Sequence, residues 1–137
     1  VSKNFLDNKK LKADYDFLLV DFHGEITSEK MAIGHFFDGK ATLVVGTHTH
    51  VPTNDCRILV NGTAYQTDAG MCGDYNSVIG MNKEISLNRF LKKTTDKNFP
   101  SNGNASLCGV IVDADDNSGL ANRAESFIFS GEYNVGI

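Results

Sequence analysis

The sequence predicts an α/β domain, a βαβ unit followed by hairpins and one further helix. Two continuous apolar runs, Phe17-Leu18-Leu19-Val20 and Ala41-Thr42-Leu43-Val44-Val45, read as strands covered on both faces. The stretch between them carries helix start and stop signals. Beyond Pro52 the pattern changes to short apolar segments punctuated by Asn, Asp and Gly, which is hairpin grammar.

The first run ends in Asp21-Phe22-His23-Gly24-Glu25. Thr27 or Ser28 is predicted to cap a helix whose first turn holds Glu29, favourable at the positive end of the helix dipole. Met31, Ala32, Phe36 and Phe37 supply its expected apolar face, and Asp38-Gly39 ends it. The second strand stops at Gly46-Thr47-His48-Thr49-His50. Strand, helix and strand in so short a span imply a parallel pair with a right-handed crossover.

Residues 57–60 and 63–67 are predicted as short strands joined by Asn61-Gly62 in a type I′ turn. A loop with Gly70, Gly73 and Gly80 follows, around Met71 and Cys72, and Asn82 is then expected to cap a helix carrying Ile85, Leu87, Phe90 and Leu91. Residues 94–105 read as a loop, 107–112 as a strand, 115–119 as a turn and 123–129 as the returning strand, with a loose tail from Ser130. No repeat, low-complexity block or long linker interrupts this order, so residues 1–137 are expected to form a single domain.

Composition narrows the function. Lys and Arg number 13 against 17 Asp and Glu, a net charge of -4, which leaves no cationic surplus for bulk binding of nucleic acid. No apolar run approaches the roughly 18–20 residues that span a bilayer, so no membrane partner is expected. Residues 1–11 lack the apolar centre of a signal peptide. Cys56, Cys72 and Cys108 are odd in number and widely spaced, which fits mostly buried reduced thiols in a cytoplasmic protein.

Three histidines stand where chemistry is expected. His23 ends the first strand, while His48 and His50 follow the second. Ligands of open α/β sheets bind beyond the carboxyl ends of the strands. A spacing of two places His48 and His50 on one side of an extended segment, and a neighbouring strand brings His23 to the same point. Neutral imidazoles offer lone pairs to a metal ion, so the three form a candidate metal site, with Glu25 close in sequence. His35, mid-helix without polar companions, is expected to face solvent or to be satisfied locally.

Other polar residues are weaker candidates. Asp21 is expected either to orient a ligating imidazole or to cap local backbone, and Asp68 to form a turn. Cys56 and Cys72 lack CxxC spacing, Ser77 lacks a nucleophile elbow, and the glycines at 70–80 match no nucleotide-binding loop.

Three segments together carry a family resemblance. VDFHGEITSEKMAIG (20–34), VVGTHTHVPT (44–53) and GTAYQTDAGMCGDYNSVIGMNKE (62–84) resemble, in order and spacing, signatures of the C-terminal half of the YmdB-like metallophosphoesterases, a bacterial branch of the calcineurin-like phosphoesterases. The resemblance is clear over residues 16–91 and looser through 107–112 and its hairpin. Gly24 and Ala69 depart from it by one small residue each, where Ala and Val are commoner.

The resemblance implies the C-terminal half of an αββα sandwich, two mixed sheets flanked by helices, in a two-metal phosphodiesterase. His23 and His48 would share one metal and His50 would bind the other. Iron, or manganese as a substitute, and phosphodiester substrates such as 2′,3′-cyclic nucleotides are implied with it. The family's remaining ligands and general acid lie in GDxxG, GEN and GNH motifs, none of which is present here. The expectation is therefore a fragment, its first residue Val1 a cut edge, that needs an N-terminal half as its partner or else self-associates. On this view the isolated chain has little activity and holds no catalytic acid of its own. Two rivals follow from the residues alone: a mononuclear three-histidine zinc hydrolase with Glu25 as base, and a metal-free interaction domain.

Overall fold

The computed structural model describes residues 2–129. In chain order the elements are α1 (Ser2–Asn8), β1 (Leu19–His23), α2 (Thr27–Phe37), β2 (Leu43–Thr47), β3 (Arg57–Ile58), β4 (Ala64–Gln66), β5 (Gly73–Asp74), α3 (Lys83–Phe90), β6 (Ala105–Ala114) and β7 (Ala121–Phe129). A mixed sheet runs β1-β2-β4-β3, and an antiparallel sheet runs β5-β6-β7. In the first, β1 and β4 both lie parallel to β2, and β3 is antiparallel to β4. Among the described residues the second sheet is antiparallel. The predicted βαβ unit and both hairpins are present. The loose tail expected from Ser130 lies outside the described residues.

Several local expectations are corrected. β1 is not covered on both faces: it ends the sheet, and Leu19 is 62% exposed. Exposure alternates along the strand, so Leu19, Asp21 and His23 share the open face. α2 begins one residue earlier than a Thr27 or Ser28 cap allows, with Ile26 at the cap and no side-chain hydrogen bond there. Its buried positions are Lys30, Gly34 and Phe37 rather than Met31, Ala32 and Phe36, a rotation that lays Gly34 flat against the Tyr65 ring. A Cβ at Gly34 would lie 2.5 Å from that ring.

The turn at 59–62 is not type I′. Only Gly62 has positive φ (97°), and its amide donates to the Leu59 carbonyl at 3.0 Å, so Asn61 does not take the left-handed state that I′ requires. Asn82 caps α3 as expected, its Oδ1 accepting the Ile85 amide at 3.0 Å. Yet Leu87 and Phe90 on that helix stay 51% and 85% exposed. The helix α1 has no counterpart among the sequence signals. It is held by tertiary contact, with Phe5 and Leu6 packed on the core and Phe5 stacked on Tyr15.

The core lies between α2 and the mixed sheet and is built from Phe37, Ala41, Val44, Leu59 and Tyr65. Every residue of β4 is buried, as expected for a central strand. The register pairs His23 with Thr47, so β1 and β2 end level with each other and deliver their last residues to one edge.

Candidate functional site

The carboxyl edge of the parallel strands gathers His23, Thr47, His48 and Thr49. His23 is the last residue of β1, and its Nδ1 lies 3.1 Å from the hydroxyl of Thr47, the last residue of β2. Its other nitrogen, Nε2, lies 3.2 Å from Nδ1 of His48, with the rings edge to face and their centroids 5.0 Å apart. Both imidazoles are exposed, so their approach is not forced by packing on all sides. Without a cation, one nitrogen of the facing pair carries a proton and donates to the other.

His50 does not join this pair. Neither His48 nor His50 is extended: φ is 136° at His48 and 65° at His50, both in the region that side-chain-bearing residues avoid. The chain therefore turns between them, and the alternation expected of an extended HxH segment is lost. His50 faces the glycine loop, where Nδ1 donates to the Ile79 carbonyl at 2.9 Å and leaves Nε2 with its lone pair. Among the described residues no three or more His, Cys, Asp or Glu side chains assemble at metal-binding distance. The single-point convergence of three histidines, with Glu25 beside it, is thus not what the fold builds; it builds a His23–His48 pair and a separately directed His50.

The pair suits one cation. Two nitrogens on a single metal, each at about 2.0–2.1 Å and at right-angled to tetrahedral spacing, stand roughly 2.8–3.4 Å apart. The 3.2 Å separation of Nε2 and Nδ1 falls within that interval. The donor set is imidazole, which suits iron and zinc.

The weaker candidates divide. Asp21 shares the exposed face of β1 with His23, but the hydrogen bond on His23 Nδ1 is to Thr47 instead. Asp68 forms the expected turn, its Oδ1 accepting the Gly70 amide at 3.0 Å. It also does what the sequence did not suggest: wholly buried, it pairs with the ammonium of Lys30 at 2.9 Å and accepts the Thr49 amide at 2.8 Å. Burial alone would raise the Asp68 carboxyl, and the hydrogen bonds from Thr49, Lys30 and Gly70 outweigh it and hold the group below the ordinary carboxylate value.

His35 is exposed, as expected. Of the cysteines, Cys108 is buried, Cys56 half-buried and Cys72 exposed, so the thiols are less buried than expected. Burial and nearby carboxylates push the Cys56 thiol up, which disfavours the thiolate a soft metal would need. Ser77 belongs to the loop, bonding the Asp74 carbonyl and accepting the Gly80 amide.

Lys30 escapes sequence reading for a definite reason. It sits on the sheet-facing stripe of α2 with Gly34 and Phe37, a place where pattern reading assigns apolar residues. The one sequence signal is the glycine a turn later, which allows close approach of the helix to the sheet.

This fold is shared with a phosphatase of known structure. A novel phosphatase from Mycoplasma pneumoniae superposes with a TM-score of 0.84 at 40% identity, over 94% of this chain and 45% of its own. A hypothetical protein from Thermus thermophilus superposes with a TM-score of 0.83 at 38% identity, over 95% of this chain and 49% of its own. The chain belongs to the YmdB-like protein family, whose model matches residues 2–127. A curated relative from Bacillus subtilis, named a 2′,3′-cyclic-nucleotide 2′-phosphodiesterase, is 41% identical over 93% of this chain and 52% of its own length. The chain thus spans about half the length of the curated relatives it matches.

Proposed function

We propose that His23 and His48 bind one metal ion and His50 a second in a dinuclear phosphodiesterase acting on small phosphodiesters such as 2′,3′-cyclic nucleotides. The observation that carries this reading is the 3.2 Å approach of His23 Nε2 to His48 Nδ1 at the ends of two parallel strands. Thr47 orients the first ring through Nδ1, as an outer partner orients a ligating histidine, and so directs Nε2 toward the cation position. His50, with Nδ1 tied to the Ile79 carbonyl, has only Nε2 to offer a second cation.

Iron, with manganese as a substitute, is the expected metal. Bound there, paired cations would clamp a phosphate and neutralise the charge that develops on it. The chain's own contribution is then to aim its imidazoles from the carboxyl edge of the parallel strands. The substrate class rests on the name of the Bacillus subtilis relative and on the YmdB-like family match. Further ligands and the proton donor belong, on this reading, to sequence outside the 137 residues.

Titration of the chain with Mn²⁺, followed by the relaxation of water protons, tests the ligand assignment. Binding weakened by His23→Ala and by His48→Ala is the expected result. Binding by both variants as tight as that of the parent chain would dispose of the shared site. Little hydrolysis of bis-p-nitrophenyl phosphate is expected of the chain alone; robust hydrolysis that His48→Ala abolishes would overturn its dependence on outside ligands.

A further inference from the structure

On the sheet-facing stripe of α2, the side chain at position 30 is an ammonium that is 1% exposed. Burying a charge is costly unless it is paired and hydrogen-bonded. Lys30 reaches its partner by passing over Gly46 of β2. A Cβ at Gly46 would stand 2.7 Å from Lys30 Cδ and would overlap the Thr67 carbonyl.

At the far end of that path, Nζ meets Asp68 Oδ2 at 2.9 Å and the Thr47 carbonyl oxygen at 3.3 Å. The same Oδ2 accepts the Thr49 amide at 2.8 Å. These contacts fall on the two peptide groups that flank His48. The Thr47 carbonyl belongs to the peptide before its Cα, and the Thr49 amide to the peptide after it. Orienting both peptide planes sets φ and ψ of the residue between them. Here φ is 136°, a disfavoured conformation that persists only where the surroundings over-determine it.

We infer that the buried Lys30–Asp68 pair is a positioning device for the metal ligand His48. The pair holds both peptides around His48 so that its Nδ1 meets His23, and the hydrogen bonds of Lys30 and Asp68 go to each other and to backbone, not to an imidazole. The inference rests on the metal-binding reading above for its consequence, although the geometry it describes exists without metal.

The test uses the 137-residue chain and two variants, Asp68→Asn, which keeps volume and removes the charge, and the double variant Lys30→Met/Asp68→Asn, which strands no buried charge. The first readout is taken without metal: nuclear Overhauser contacts between the His23 and His48 rings, in samples whose amide spectra remain dispersed. The second is Mn²⁺ affinity. Both variants are expected to lose the ring contact and to bind Mn²⁺ about 10–100-fold more weakly, the cost usual for an outer partner of a metal ligand. A folded double variant with the ring contact and the affinity of the parent chain would overturn the inference. His48→Ala serves as the control for the underlying reading. If it binds Mn²⁺ as the parent does, the metal assignment fails, and the metal-free ring contact still decides whether the pair positions His48.

Discussion

The Lys30 ammonium lies 2.9 Å from the Asp68 carboxylate with side-chain exposures of 1% and 0%. The pair joins a helix to the loop after a central strand, 38 residues along the chain. It sits directly beneath the segment that carries His48.

Removing one member leaves the other as an uncompensated buried charge, which typically costs about 3–5 kcal/mol. Asp68→Ala is therefore expected to lower chemical-denaturation stability by about that amount. Lys30→Met/Asp68→Asn is expected to cost clearly less than either single loss of a partner. Urea unfolding of the three proteins checks the order.

The carboxyl of Asp55 is also held low. Its burial opposes ionisation, but hydrogen bonds from the Thr53 and Thr67 side chains and the Thr67 amide, with Arg57 adding its charge, prevail. A folded-state pKa below the unfolded one contributes stability that is present above the unfolded value and lost as pH falls through the folded one. Melting temperature is expected to be level down to about pH 5 and to drop below about pH 4 as Asp55 and Asp68 take up protons. In Asp55→Asn part of that acid loss is expected to vanish; an unchanged acid limb in the melting curves would count against Asp55 as a source.

Gly34 and Gly46 are expected to be intolerant for different reasons. A methyl at Gly34 meets the Tyr65 ring at 2.5 Å inside the core, an overpacking that typically costs about 1–3 kcal/mol. A methyl at Gly46 meets backbone, the Thr67 carbonyl, and also displaces the Lys30 stem. Gly46→Ala is expected to be the more damaging of the two in thermal unfolding, and in any folded fraction to weaken the His23–His48 contact, which Gly34→Ala leaves intact.

His50 ties the HxH segment to the glycine loop through Ile79, a bond spanning 29 residues. His50→Ala is expected to speed amide exchange through residues 70–81 while leaving the His23–His48 ring contact unchanged. Equal loss at both places would mean that the three histidines act as one cluster.

The open face of β1 continues into a shallow apolar cleft of about 330 Å³ lined by Phe17, Leu19, Leu43 and Val112. Phe17 is 50% and Leu19 62% exposed, an unusual load for an edge strand. Sedimentation at rising concentration is expected to reveal self-association of the chain that Leu19→Lys reduces.

Much of this molecule is legible in its sequence. The acidic first turn of α2 at Glu29, the Asn82 cap and the polar turn at 115–119 each act through contacts a few residues apart, so local rules find them. The placement of His23 and His48 at strand ends follows from the same rules, and the three ordered segments are specific enough for the family. Local rules fail where long-range contact overrides local preference. Residues 2–8 form a helix because Phe5 and Leu6 have a core to pack on, and Thr27 loses the cap because the chain enters α2 through Ile26. The order of elements and the residue types at the sheet edge are written in the chain itself. Packing in three dimensions is what turns His48 to His23 and His50 to Ile79. That choice depends on positive φ at both histidines, stabilised around His48 by a lysine 18 positions before it and an aspartate 20 after it. No spacing rule within the HxH segment contains such partners.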